Sequence, residues 1–246
     1  LAGDGERKRA MSAFRSYVFT LLLAITTGVI GILGLPLALF GRQSSRMVSR
    51  AWASSILFFA RTVCGVRWRV EGAENIPEGG AIVAGNHQSM FETVMVFALL
   101  RRPAVVFKRE LLRIPVYGLW GVASGGLPID RDGGAQSLRA LQRLAAERVK
   151  EGDAIVVFPE GTRRPVGDPG PLQPGIAGIY LAADAPCAPF VHNSGSIWLH
   201  PGPKKKPGVI TVRFLPPIPA GLHRKEFMAR LTAALHSPPP PAEEAA

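Results

Sequence analysis

The stretch Ala81-Ile82-Val83-Ala84-Gly85-Asn86-His87-Gln88-Ser89-Met90-Phe91-Glu92 decides the fold. Its first five residues form a short apolar run of the kind that fills a buried strand. The apolar run Thr93 to Leu100 behind it predicts a helix over 89–100. A His and a carboxylate, five positions apart, therefore sit where a strand hands over to a helix, a place where α/β proteins put chemistry. Imidazole can take a proton near neutral pH, and a carboxylate can fix its tautomer and stabilise the charged form. Ser89-x-x-Glu92 is also a capping box, with Ser89 at N-cap and Glu92 at N3. The two roles are compatible. The positive end of the helix dipole favours a neutral His87. With His87 in the turn and Glu92 in the first helical turn, the pair escapes the roughly 140° separation that it would have inside a regular helix.

Working outward, Val66 to Val70 alternates like an edge or half-exposed strand, and 75–80 is a turn. Ala104-Val105-Val106-Phe107 predicts a strand, and Leu127-Pro128-Ile129 a short extended piece. Gly134 to Lys150, with Leu138, Leu141, Leu144, Ala145 and Val149 on one side, predicts an amphipathic helix. Ala154 to Phe158 is a continuous apolar strand of the doubly covered type. A Pro/Gly loop (164–174), a helix (175–183), a strand from Cys187 to Val191, a hairpin tipped by Lys204-Lys205-Lys206, a strand from Val209 to Leu215 and a helix from His223 to Leu235 complete the pattern. The predicted class is α/β: a mixed, mostly parallel sheet covered by helices, preceded by an apolar membrane-anchoring helix or helix hairpin.

The chain has 246 residues, 47% of them hydrophobic, and a formal net charge of +11. That balance suits nucleic acid, an anionic membrane or anionic substrates. Two distant cysteines, Cys64 and Cys187, give neither a disulfide framework nor zinc spacing. The divisions expected are a basic segment (1–16), membrane-associated helices (17–64), a catalytic domain (65–236) and a disordered tail (237–246). Tyr17 to Phe40 is 24 residues without a charge, long enough to span a bilayer. Basic residues flank both ends: Arg7, Lys8, Arg9 and Arg15 before, and Arg42, Arg46 and Arg50 after. The positive-inside rule therefore gives no orientation. A second apolar stretch, Ala51 to Val63, makes a hairpin in one leaflet, with arginines at the headgroups, slightly preferable to a single span.

Two arginines accompany the His. Gly126 to Arg131 puts Arg131 just after an extended piece, and Phe158-Pro159-Glu160-Gly161-Thr162-Arg163 ends a buried strand. Gly161 allows close approach or positive φ, and Arg163 offers a planar fork for phosphate oxygens. Strand ends of an open α/β sheet converge on one crevice. His-x4-Glu, then Gly-x4-Arg, then Phe-Pro-Glu-Gly-Thr-Arg, and a Pro-containing strand at Ala188 to Ser194, resemble the glycerolipid acyltransferase family over residues 66–220. The bacterial 1-acyl-sn-glycerol-3-phosphate acyltransferases are the nearest resemblance. The family's usual acid at the first motif is Asp; Glu92, one methylene longer, stands there. The 164–174 loop carries Arg164 and Gln173 but no Lys.

The resemblance implies that His87 is a general base on a glycerol hydroxyl, with Glu92 orienting it. It implies that Arg131, Glu160, Gly161, Thr162 and Arg163, with Lys108 as a further anion contact, bind the glycerol phosphate. The co-substrate implied is acyl-CoA or acyl-ACP, with no metal, no other cofactor and no nucleic acid. The site implied is the cytosolic face of the inner membrane, and the product phosphatidic acid. Another lysolipid acceptor, such as a lyso-ornithine lipid, lysophospholipid remodelling, or a catalytically inactive membrane-binding member would carry the same motifs. Other classes fit poorly. Gly-x-Ser-x-Gly is absent, Ser194 is not in a nucleophile elbow, and no two His have metal-ligand spacing. The apolar segment argues against a nucleic-acid binder.

Overall fold

Strand β2 (Ala81–Gly85) is buried at every position, because it lies between β6 (Cys187–His192) and β5 (Ala154–Val157) and has helices over both faces. The structure, a computed structural model, describes residues 2–114 and 116–241. The remaining strands are β1 (Val66–Glu71), β3 (Pro103–Lys108), β4 (Leu127–Ile129) and β7 (Gly208–Phe214). They form one sheet in the order β1-β7-β6-β2-β5-β3-β4. Every neighbouring pair is parallel except β6 with β7. The five strands from β6 to β4 thus end at one edge, and the turns leaving them can meet.

Both faces of the sheet are apolar, as a doubly covered parallel sheet requires. Val83, Val105, Val156 and Phe190 point to one side, under α3 (Arg42–Cys64) and α4 (Phe91–Leu99). Ile82, Ala104, Ile155 and Val157 point to the other, under α6 (Gly134–Lys150), α7 (Gly175–Ala183) and α8 (Arg224–Leu235). A short helix α5 (Tyr117–Ala123) follows a 3-10 turn over Arg109–Arg113.

The N-terminal part differs from expectation in three ways. The basic segment is not separate: α1 runs from Ala2 to Leu33, and of that segment Leu1 lies outside the described residues. The second helix starts well before Ala51, at Arg42, after a single-turn α2 (Leu35–Ala38). The arginines behind the apolar segment do not ring a headgroup layer. Arg42 pairs with Glu151; Arg46, 7% exposed, donates to Asp153 at 2.6 Å; Arg50 donates to the Leu100 carbonyl at 2.6 Å. They weld α3 to the sheet-bearing domain, and Asp153, wholly buried, also pairs with Arg102 at 2.9 Å. Burial pushes the Arg46 guanidinium down, and Asp153 opposes that shift.

Helix α1 follows the surface of the domain along most of its length. Ser12 Oγ donates to the Lys205 carbonyl at 2.9 Å, Phe19 stands edge-on to Trp198, and Trp120 Nε1 donates to the Gly31 carbonyl at 2.9 Å. Its apolar stretch, Ala10–Leu33, is the one helix long and apolar enough to cross a membrane among the described residues. Leu21, Ile25, Val29 and Ile32 stand exposed on its outer side. A ~30 Å length of helix is thus fastened at both ends to the folded domain, with its apolar outer side uncovered. The expected disordered tail is also corrected in part: the Pro241 carbonyl accepts Asn193 Nδ2 at 2.7 Å, while 242–246 lie outside the described residues.

Candidate active site

The turn after β2 is irregular backbone packed into the protein, so each of its polar groups needs a partner. The strand ends on either side supply them. His192 Nε2 lies 2.9 Å from the Asn86 carbonyl. The His87 N–H donates to Glu160 Oε2 at 3.2 Å, and the His87 carbonyl accepts the Arg164 N–H at 2.7 Å. The Gln88 and Ser89 N–H groups both donate to Glu92 Oε1 at 2.8 Å, and the Ser89 carbonyl accepts Arg163 Nε at 3.2 Å. The turn that carries His87 is therefore held by the Phe158–Arg164 segment and by the end of β6.

His87 Nδ1 lies 2.8 Å from Glu92 Oε1, and its ring stacks on Phe158 with centroids 4.6 Å apart. With Nδ1 donating to the carboxylate, Nε2 carries the free lone pair, and it has no protein partner among the described residues. Glu92 is 1% exposed. Besides His87 and the two backbone N–H groups, it accepts the hydroxyls of Ser89 and Ser194, each at 2.9 Å on Oε2. Burial alone would raise the Glu92 carboxyl. Interaction with His192, the hydrogen bond to and proximity of His87, and the Ser89 N–H outweigh burial and hold it at about 2. It is an ionised acceptor, as an orienting group for a base must be.

The two roles open for Glu92 in the sequence coexist. It closes the start of α4 through the Ser89 N–H, as a capping-box Glu does, and it orients His87. Ser89 departs from the box: its hydroxyl accepts the Phe91 N–H at 3.0 Å, and Met90 occupies the N-cap position.

Glu160 needs correction. It is buried, Oε1 accepts Asn86 Nδ2 at 2.9 Å, and Oε2 takes the His87 N–H. Burial pushes its carboxyl up against those two hydrogen bonds. A carboxylate spent in this way supports the His87 turn and offers a phosphate nothing. Gly161 has φ +72°, a left-handed conformation that disfavours a Cβ, and its carbonyl accepts Arg131 Nη1 at 2.6 Å. Arg163 has one edge committed to Ser89, while Nη1 lies 3.3 Å from His200 Nδ1. Arg131 and Thr162 are exposed. Lys108 is not drawn into this cluster; it pairs with Glu110 at 3.2 Å. Ser194, Asn86 and Gln88 are partners the sequence did not reveal. The signal for Ser194 was its place just past β6, on the same edge as His87.

Two cavities flank these groups on opposite faces of the sheet. A narrow apolar one of about 80 Å³ runs between α1, α3, α4 and α5, lined by Ile30, Trp52, Phe97, Phe107, Tyr117 and Trp120. Thr93, the neighbour of Glu92, also lines it. A larger one of about 550 Å³ has an apolar floor of Val106, Ile129, Val157 and Ile176 and a rim with Arg131, Thr162 and Gln173.

The half-buried His87, the buried Glu92 and the Arg-bearing turn lie at the strand ends of a mostly parallel sheet, and residues 67–193 match the Acyltransferase family model. The chain belongs to that family. It is 36% identical over 205 residues to a 1-acyl-sn-glycerol-3-phosphate acyltransferase from Pseudomonas aeruginosa, covering 82% of this chain and 79% of that one. It is 27% identical over 220 residues to the human 1-acyl-sn-glycerol-3-phosphate acyltransferase beta, covering 87% and 77%. Its fold matches the crystal structure of the 1-acyl-sn-glycerophosphate acyltransferase from Thermotoga maritima with a TM-score of 0.75, over 93% of this chain and 95% of that one, at 20% identity.

Proposed function

We infer that this protein transfers an acyl chain from a thioester to the free sn-2 hydroxyl of 1-acyl-sn-glycerol 3-phosphate, giving phosphatidic acid. The observation that carries this inference is the 2.8 Å His87–Glu92 pair with Nε2 free, in a chain 36% identical to an enzyme of that name. His87 Nε2 takes the hydroxyl proton as the oxygen attacks the thioester carbonyl. Glu92 stabilises the imidazolium that forms. Collapse of the tetrahedral intermediate expels the thiolate, which recovers the proton from His87, so no covalent acyl-enzyme is needed. Arg131 and Arg163, whose guanidinium edges border Gly161 and Ser89, are the groups for the acceptor's phosphate. The narrow apolar cavity is the place for part of an acyl chain. Acyl-CoA or acyl carrier protein is the donor. Helices α1 to α3 hold the site at the cytosolic face of the inner membrane as a hairpin in one leaflet, consistent with the fastening of α1 along the domain.

The test is acyl transfer by detergent-purified protein. Lysophosphatidate and lyso-ornithine lipid are offered separately, each with acyl-CoA and with acyl carrier protein. Phosphatidate formation with one or both donors is the expected result. Acylation of the ornithine lipid alone would keep the chemistry and replace the acceptor.

A further inference from the structure

Among the described residues beyond 64, the exposed large apolar side chains are Leu112, Ile114, Leu119, Val122 and Leu181, and four of these five fall between 112 and 122. In α5 the division is sharp. Gly118 and Trp120 are buried, whereas Leu119 and Val122, three residues apart and so on one face, are each 49% exposed. Clustering of this kind on an otherwise polar domain marks a contact surface.

The position of the cluster says what covers it. Helix α5 is joined to α1: Trp120 Nε1 donates to the Gly31 carbonyl, and a side chain at Gly31 would run into Val116. The exposed large apolar residues at this end of α1, in α2 and just after it are Ile32, Leu33, Leu35, Leu37, Leu39 and Phe40. The α5 face thus continues the apolar surface of the helical hairpin. Arg109 and Arg113, both exposed, stand beside it, and Arg113 has no ion-pair partner among the described residues. Apolar side chains at the level of the acyl chains, with guanidinium groups beside them, suit an anionic bilayer surface.

We propose that Leu112 and Ile114, together with Leu119 and Val122 on the outer face of α5, form a third membrane-inserted element, separate from the helical hairpin. It rests on the membrane anchorage inferred above. Val116, Tyr117, Trp120 and Gly121 of this segment also line the narrow apolar cavity. Seating it in the bilayer places one wall of that cavity against lipid, so a chain enters sideways from the leaflet without crossing water.

The test uses the full chain with single cysteines at Leu119→Cys or Val122→Cys, each carrying an environment-sensitive dye. The native Cys64 and Cys187 are buried. Leu21→Cys on α1 and Lys225→Cys on the far side of the domain serve as controls. Protein is bound to vesicles of phosphatidylethanolamine and phosphatidylglycerol, with and without nitroxide-labelled lipid. Blue shift and quenching at positions 119 and 122, comparable to position 21 and absent at 225, are the expected result. Water-like emission at 119 and 122 with quenching at 21 overturns the proposal and leaves the anchor intact. Water-like emission at 21 as well overturns both.

Discussion

Glu160 Oε2 accepts the backbone N–H of His87 at 3.2 Å, while its Oε1 takes Asn86 Nδ2 at 2.9 Å. The third motif thus acts through the first: its carboxylate fixes the turn from which His87, the proposed base, projects. Glu160→Gln keeps the shape but offers one acceptor where two are used. It should lower kcat by about tenfold or more and leave KM for the phosphate acceptor within about twofold. Steady-state kinetics on lysophosphatidate check this. A rise in KM with kcat intact would return Glu160 to phosphate binding.

Glu92 gives a pH signature. Its carboxyl is held at about 2 in the folded protein, below an unfolded value of about 4.3. A depressed acid contributes stability above the unfolded value and loses it as pH falls through the folded one. Glu160, pushed up by burial, works in the opposite sense. Wild type should therefore melt well above Glu92→Gln at pH 5, and the gap should narrow as pH falls toward 2. Thermal melts in detergent read it directly; a gap independent of pH would contradict the assignment of Glu92 as the ionised acceptor.

The hairpin is fastened by charge as well as by apolar contact. Arg46→Ala leaves Asp153 buried with Arg102 and the more distant Arg42 as its remaining partners. Loss of one partner from a buried pair costs about 3–5 kcal/mol, and the surviving arginines place this case at about 3 kcal/mol. Chemical denaturation of the detergent-solubilised protein measures it, and a change under about 0.5 kcal/mol would mean that the pairing is superficial.

Gly31 lies where α1 and α5 close over the narrow apolar cavity, and both Gly31 and Val116 line it. A methyl group at Gly31 would collide with Val116 Cγ1. Gly31→Ala should therefore narrow the cavity and shift the donor profile toward shorter acyl chains. Competition among thioesters of graded length reveals the shift, and an unchanged profile would remove this cavity from chain selection.

The parts legible in the sequence were those set by local pattern. Ala81–Gly85, Leu127–Ile129, Gly134–Lys150 and Gly175–Ala183 lie where their apolar periods and glycine boundaries put them. The meeting of the turns after β2, β5 and β6 at one edge follows from the parallel pairing of those strands. What was not legible depends on partners distant in the chain. Arg46 looks like a headgroup arginine until Asp153, 107 positions on, is beside it. Glu160 looks like a ligand-binding acid until Asn86 claims it. Ser194 lacks the nucleophile elbow, and only the approach of β6 to β2 reveals it as a donor to Glu92.

The central claim is that His87 moves the proton, and it is tested most directly by conversion of lysophosphatidate to phosphatidate by wild type and His87→Ala. Both are purified in parallel, with melting temperature and vesicle binding measured on the same samples. The account predicts a loss of at least about a hundredfold in kcat for His87→Ala, with folding and membrane attachment unchanged. Turnover within a few-fold of wild type by a folded, membrane-bound His87→Ala would contradict it.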